Sequence, residues 1–294
     1  MQNNIYFFLF FSLISFLLVL FIPIKRKSYI LFVENIVFYL LCDLNFFYLL
    51  FLEVIISYVI SKYLNSNKKK LFLFIGIILE VIILCIFKYF NFFISSFNLD
   101  FAYIVLPVGI SYYSFRILSY LIDVYKGDIL YEKSFIDYSI YVMFFPQLLS
   151  GPIERTKTIL PILKQEYHFN KELFINGLEL VIYGLFKKVV IADRCAKYVD
   201  YSFSNISICN SITLLVGLFL YSIQLYCDFS GYSDVAIGIT KILGFECKKN
   251  FNRPYFATDI RDFWRRWHIS LTSWFTDYVY IPLGGNRCCK ARVY

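Results

Sequence analysis

The chain alternates between long apolar runs and short polar breaks. At about 1.5 Å of rise per residue, about 20 apolar residues in a helix cross the hydrocarbon core of a bilayer. The pattern predicts membrane-spanning helices over residues 5–24, 29–42, 46–61, 71–87, 101–122 and 206–227. The first run lacks a preceding basic segment and a small-residue cleavage site. We therefore expect it to remain as a helix and not to act as a cleaved signal peptide.

One apolar segment in the middle of the chain, residues 139–151, is too short to span a membrane. Pro146 and Gly151 interrupt it, and a basic stretch follows it. Non-helical backbone at membrane depth is tolerated only beside protein or a watery cavity. We therefore expect residues 140–153 to enter the membrane and to return on the same side, next to a cavity.

The remaining pattern completes the predicted fold. Residues 174–199 have a helical pattern that contains Lys187 and Lys188, so part of this helix is expected at the inner interface. The pattern of residues 228–294 predicts short helices and loops at the inner side of the membrane. The predicted fold class is an all-α polytopic membrane bundle with re-entrant and interfacial helices, in a single domain over residues 1–294.

Composition supports a membrane protein and argues against a nucleic-acid-binding one. The chain is 59% hydrophobic and 17% charged, whereas soluble domains are nearer half apolar and a quarter charged. Its net charge of +8 comes from Lys and Arg residues that cluster between the apolar runs. Cytoplasmic loops of membrane proteins carry this bias, so the predicted partner is the bilayer and not nucleic acid.

The eight cysteines predict neither a disulfide framework nor a metal site. They form no CxxC pair, and no histidine stands at metal-ligand spacing from them. Most lie in or beside apolar segments and are expected to be small buried hydrophobes. The adjacent Cys288 and Cys289 are either incidental thiols or acylation sites beside the membrane.

His268 is the foremost catalytic candidate. It is one of two histidines and lies in the polar, Trp-containing sequence WRRWHIS at residues 264–270. A neutral imidazole can take a proton from a hydroxyl that attacks a thioester. If this segment is helical, Trp264 and His268 share a face. The alternative is a histidine that braces a re-entrant helix, and the residues alone leave both open. His168, in a polar stretch, is expected at the surface.

A second candidate is the sequence DFSGYSD at residues 228–234. Its carboxylates and hydroxyls could line a channel, coordinate a cation or cap a helix. Ser233 or Asp234 fits a helix N-cap before the apolar residues that follow. Asp228 is expected at membrane depth, where a charge needs a partner, and Arg116 is a plausible one.

Basic and acidic residues elsewhere carry weaker signals. The basic set near His268 could bind the phosphates of coenzyme A or an acidic carrier protein, or could anchor the chain to the inner leaflet; its members are Arg261, Arg265, Arg266 and Arg287. Trp264 and Trp267 belong to the same candidate donor-binding or channel region. Glu34, Glu53 and Glu80 lie in apolar runs and are expected near helix ends or protonated.

Several further blocks occur in one order along the chain. They are LPVGISYYSF at 106–115, SYLIDVY at 119–125, FFPQLLSGPI at 144–153 and GLFKK at 184–188. Together with DFSGYSD and WRRWHIS they resemble the membrane-bound O-acyltransferase family, in the bacterial branch that acylates extracytoplasmic polysaccharides such as alginate and teichoic acid. The resemblance covers most of the chain after about residue 71.

This resemblance implies a helical bundle around a central funnel in the plasma membrane. It implies an acyl thioester donor from the cytoplasm, acetyl-CoA or an acyl carrier protein, and no tightly bound cofactor. The acyl group, most simply acetyl, would pass to an extracytoplasmic polysaccharide hydroxyl or to a partner transferase. The alternative function is a non-enzymatic transporter or scaffold of a polysaccharide-modification complex.

The family pattern has two histidines, and His268 matches the first. The second, usually considered catalytic, lies on a following helix in a Trp-His-Gly setting. This sequence reaches Tyr294 without a counterpart to it. The resemblance therefore implies a C-terminally truncated chain that is close to inactive by itself.

The Lys and Arg bias predicts the topology. We expect Met1 outside the cytoplasm, and residues 68–70 and 261–266 inside it. Single cysteines placed in a thiol-free background and labelled with an impermeant reagent on intact cells test this. Ready labelling of Lys69→Cys would contradict the topology.

Overall fold

The computed structural model describes residues 2–21, 27–97, 102–164 and 169–285. These residues contain helices and turns and no β-strand, which confirms the predicted all-α class. They group into two compact units. The first unit contains Met1–Leu149, Ile153–Tyr167 and Ser273–Tyr294, and the second contains Ser150–Pro152 and His168–Thr272. The predicted single domain stays a prediction.

The first unit begins with helices that match the early apolar runs. In chain order its helices are α1 (Gln2–Phe21), α2 (Lys27–Cys42), α3 (Phe47–Tyr63), α4 (Lys69–Ser96), α5 (Ile110–Lys126), α6 (Phe135–Met143), α7 (Phe145–Leu148) and α8 (Thr156–Lys164). Helix α4 is longer than the predicted span because the apolar pattern continues past Lys88. Most of its surface is uncovered, as expected of a helix that faces lipid.

The predicted helix over residues 101–122 is wrong in its first part. Residues 102–109 are not helical, and α5 begins only at Ile110. Pro107 has no backbone N–H to donate, and Gly109 adopts a left-handed φ of 73°. The loop is held by α2 and the residue after it, since Tyr39 donates to Val108 O at 3.0 Å and Val108 N donates to Asp43 Oδ2 at 3.1 Å.

The interruption predicted near Pro146 is present. Helix α6 ends at Met143, Phe144 is extended with a ψ of 101°, and α7 restarts at Phe145. Proline stops the first helix because its ring would meet a carbonyl one turn earlier. The whole break is buried. The backbone carbonyl groups that lose their helical hydrogen bonds there therefore need partners from the protein itself.

The second unit is built around one long helix. Its elements are α9 (Lys171–Leu185), a π-helical segment (Phe186–Ala192), α10 (Asp193–Ser204), α11 (Ser211–Ile242), a 3₁₀ turn (Pro254–Phe256), α12 (Ile260–Arg266) and the start of α13 (Ile269–Phe275). Helix α11 runs 32 residues: it begins at Ser211, inside the predicted span over 206–227, and continues past the end of that span. It is capped by Asn210, which accepts from Thr213 N at 2.8 Å.

Paired glycines bring α9 and α11 into close contact. A Cβ atom added to Gly177 would lie 2.7 Å from Gly238 O, and one added to Gly184 would lie 2.6 Å from Gly231 O. The two glycines of each helix are seven positions apart, about two helical turns, so they share one face. Small residues at such positions let membrane helices approach closely.

Two described helices are long and apolar enough to cross a membrane by length and composition, namely α4 and α11. The apolar stretches Ile5–Phe21 and Ser28–Cys42 are shorter. Side chains with large exposed apolar surface cover α4 along most of its length. This distribution fits a lipid environment better than water.

The glycine contacts predict that a glycine-to-alanine substitution destabilises the fold by different amounts at different positions. Gly184→Ala and Gly238→Ala should destabilise the fold by about 1–3 kcal/mol, because backbone atoms that cannot rotate away occupy the space. Gly217→Ala is the matched control on α11 and should destabilise the fold less. Its Cβ would meet the Ser202 side chain at 3.0 Å and not a backbone atom. Thermal unfolding in detergent measures the difference, and equal midpoints for all three variants would contradict it.

Candidate active site

His268 lies at a sharp corner between two short helices of the second unit. Helix α12 ends at Arg266, and His268 adopts a left-handed φ of 44° before α13 begins. The corner is clamped by the preceding loop, because Ile269 N donates to Asn250 O at 2.9 Å and Asn252 N donates to Arg266 O at 2.9 Å. A non-glycine residue in this conformation is strained and is held by its surroundings.

Asn250 fixes the protonation of the imidazole. Its Oδ1 accepts from the backbone N–H of Ser270 at 3.3 Å and from Ser270 Oγ at 2.8 Å. A backbone N–H can only donate, so this amide atom is the oxygen. The same Oδ1 lies 3.1 Å from His268 Nδ1, which must therefore carry the proton. The lone pair of a neutral His268 then resides on Nε2.

The imidazole is shielded by aromatic rings. His268 is 9% exposed. The Phe229 ring meets it edge-on with a centroid distance of 4.8 Å, and Phe251 lies 6.3 Å away. Burial lowers the pKa of His268 to about 4. The ring is therefore neutral at pH 7 with an unprotonated Nε2, and its low pKa makes it a weaker base than an exposed imidazole.

The two tryptophans of the site lie in different environments. Trp267 stacks on Phe263 with a centroid distance of 5.6 Å and meets Phe251 edge-on at 5.1 Å. Trp264 is 51% exposed. The expectation that Trp264 and His268 share one helical face is wrong, because the helix ends between them and His268 leaves helical geometry.

Two of the arginines of α12 are exposed to solvent, and the third forms an ion pair. Arg261 and Arg265 are exposed. Arg266 Nε donates to Asp262 Oδ2 at 2.9 Å, one turn earlier on the same helix. Exposed guanidinium groups on a short helix next to His268 remain suitable for binding phosphate or a carboxylate surface. Arg287 lies outside the described residues, as do His168, Cys288 and Cys289.

The DFSGYSD motif lies inside α11, so the predicted N-cap at Ser233 or Asp234 is wrong. The motif instead faces the π-helical segment. Lys188 Nζ donates to Asp228 Oδ1 and, at 2.8 Å, to Asp193 Oδ1, while Lys187 donates to Asp234. The charged groups of the motif are thus neutralised by two adjacent lysines, whose directions the π-helical turn sets.

Arg116 is fully buried in the first unit and holds the break between α6 and α7. Its Nη1 donates to Tyr141 O at 2.9 Å, and its Nη2 donates to Gln147 Oε1 at 2.6 Å. A cation at a helix C-terminus also offsets the helix dipole. Arg116 and Asp228 therefore each have partners within their own unit, and the suggested pairing of the two stays a prediction.

The structure adds residues that the sequence did not single out for the site. Asn250 stands 18 positions before His268, and no pattern links the two. The sequence predicts Lys187 and Lys188 in a helix at the inner interface, which stays a prediction, and the structure adds that both are buried ion-pair partners. The seven-residue glycine spacing on both helices is the one sequence signal that could have placed these lysines beside Asp228 and Asp234.

The lowered pKa of His268 predicts a pH-dependent stability. Its ordinary value is 6.5, so between about pH 6.5 and pH 4 the unfolded chain binds a proton at residue 268 that the folded protein does not. The free energy of unfolding should fall as the pH falls through this window, by at most about 3 kcal/mol. His268→Gln should remove this part of the pH dependence and His168→Gln should retain it. If the melting midpoints of wild type and His268→Gln change equally with pH between pH 4 and 7, the imidazole is not buried in its neutral form.

Comparison with known proteins identifies the family. The model of the membrane-bound O-acyltransferase family matches residues 125–293. The chain is 35% identical to the probable alginate O-acetylase of Azotobacter vinelandii, covering 100% of this chain and 61% of that one. It is 34% identical to the peptidoglycan O-acetyltransferase of Helicobacter pylori, covering 92% and 58%. The teichoic acid D-alanyltransferase of Bacillus subtilis is 30% identical over 59% of this chain and 45% of its own length.

The chain thus spans about three fifths of the length of the first two relatives. The aligned region contains His268, the DFSGYSD motif and the GLFKK block, on which the resemblance seen in the sequence rests. The chain belongs to the membrane-bound O-acyltransferase family.

Proposed function

We propose that this protein is a membrane O-acyltransferase that moves an acyl group, acetyl in the simplest case, from a thioester to a polysaccharide hydroxyl. The observation that carries the proposal is the neutral His268, with Nδ1 held by Asn250 and Nε2 left as the basic atom. The names of the relatives, an alginate O-acetylase and a peptidoglycan O-acetyltransferase, support acetyl transfer to a polysaccharide.

The reaction forms a C–O bond and breaks a C–S bond. The acceptor hydroxyl attacks the thioester carbonyl, its proton leaves the oxygen, and the departing sulfur takes up a proton. His268 orients or deprotonates one of the reacting groups on the cytoplasmic side of the path. The aromatic rings around His268 exclude water, which would otherwise hydrolyse the thioester.

The donor side of the site is α12. Its exposed Arg261 and Arg265 provide positive charge for the phosphates of coenzyme A or for the acidic surface of a carrier protein. Trp264, 51% exposed, provides a flat apolar surface beside them. Arginine side chains at this position could also rest on anionic lipid headgroups, and a donor titration with Arg265→Ala distinguishes the two roles.

The acceptor side requires a route across the bilayer. We propose a multi-pass protein of the plasma membrane with its N-terminus outside, and a re-entrant element over residues 140–153 beside a central funnel. The buried break between α6 and α7 supports this element. Arg116 and Gln147 supply the polar contacts that a broken backbone at membrane depth needs.

The catalytic proposal predicts a steep loss of transfer in His268→Ala. Removal of a general base typically lowers a rate by about 10²–10⁴-fold. The measurement is incorporation of labelled acetate into cell-surface polysaccharide, in cells that express the protein at its natural length, with protein level determined in the same membranes. His168→Ala, at the only other histidine, is the matched control and should retain normal transfer.

A positioning variant separates chemistry from packing. Asn250→Leu removes the acceptor of His268 Nδ1–H and allows the other tautomer, so it should lower kcat more than it raises KM.

Near-normal acetate incorporation by His268→Ala would show that the histidine is a structural residue and would contradict the catalytic proposal.

A further inference from the structure

Two buried carboxyl groups meet between three helices of the first unit. Glu53 on α3 and Glu80 on α4 are each 1% exposed. Their carboxyl groups interact directly with each other, and both helices pack on α5. Neither residue belongs to the site around His268, so the pair calls for its own explanation.

The oxygens around this pair have unused hydrogen-bonding capacity. Among the described residues, five buried oxygens here lack a hydrogen bond of standard geometry: Glu53 Oε1, Glu53 Oε2, Glu80 Oε2, Tyr113 OH and Ser114 Oγ. Ser114 lies against Glu80, and Tyr113 lies in the field of both carboxyl groups. Both hydroxyl side chains are fully buried and come from α5.

The other groups that face the pair do not supply a positive charge. Tyr39 of α2 and Tyr138 of α6 are neutral phenols close to the carboxyl groups. Asp43, behind Tyr39, has the same sign as the glutamates. The ion pairs found in the described part of the chain include neither Glu53 nor Glu80.

Two neighbouring carboxylates that are removed from water and lack a cation cannot both stay ionised. A proton is the smallest group that neutralises one of them, and it needs no cavity. The Ser114 hydroxyl, which lies against Glu80, can donate to the carboxylate that remains. A single added proton thus removes one of the two like charges and supplies a donor between the two carboxyl groups.

We propose that Glu53 and Glu80 form a proton-binding site inside the membrane bundle, in which the pair shares a proton at neutral pH. The site links protonation to helix packing. Loss of the proton would place two like charges between α3 and α4 and would drive these helices apart or admit water. The site is separate from acyl transfer, and its test does not depend on that activity.

Infrared spectroscopy of the purified protein at neutral pH tests the proposal. The difference spectrum between wild type and the double variant Glu53→Gln, Glu80→Gln should contain the C=O band of a protonated carboxyl group. The matched control is Glu34→Gln, which removes a buried carboxyl whose Oε2 accepts from Ser15 at 2.6 Å. The band of the pair should persist in that background. A difference spectrum with only ionised carboxylate bands would overturn the proposal.

A second measurement, on wild type and Glu80→Gln, distinguishes a proton from a metal cation. The thermal midpoint of wild type should be the same in sodium, potassium, calcium and choline chloride at equal ionic strength. Stabilisation by one of these cations that is absent from Glu80→Gln would show a cation site instead and would refute the shared proton. If the double variant does not fold, the single variants Glu53→Gln and Glu80→Gln each replace it in the infrared comparison, because loss of either carboxyl should remove the band of the shared proton.

Discussion

The rest of this structure depends on one constraint: polar groups that are withdrawn from water must find their partners inside the protein. In a chain this apolar, a buried charge or hydrogen-bonding group without a partner costs free energy, so partners at specific positions stabilise the fold. Arg116 donates a hydrogen bond to a backbone carbonyl group left by the break after α6, and Lys188 bridges Asp228 and Asp193. These contacts decide where helices can break and which of their faces meet.

The same constraint explains the chemistry of His268. An imidazole in a shell of aromatic rings loses its charge, because burial penalises the protonated form. Neutrality alone would leave the proton on either nitrogen. Asn250 removes that choice, since its carbonyl oxygen is already defined by the backbone N–H of Ser270. A strained corner, a neutral ring and a single tautomer are the features on which the proposed role of His268 in proton transfer rests.

Close helix packing provides the frame for the second unit. The paired glycines of α9 and α11 bring two backbones together, so that the lysines which follow α9 reach the acidic residues of α11. Both lysines lie in the π-helical segment Phe186–Ala192 and are buried. In the first unit, Glu53 and Glu80 meet in the same way, at a helix contact.

The sequence by itself determined the helical class, most of the early helices, the break at Pro146, the family and the candidate His268. All of these follow from local signals: apolar period, proline chemistry and short motifs. Only the tertiary structure decided that α11 continues through DFSGYSD, that Lys188 pairs with Asp228, and that Asn250 orients His268. The physical reason is that periodicity reports the environment of a residue along its own helix. A contact between residues 18 or 40 positions apart depends on how separate elements pack, which no local pattern records.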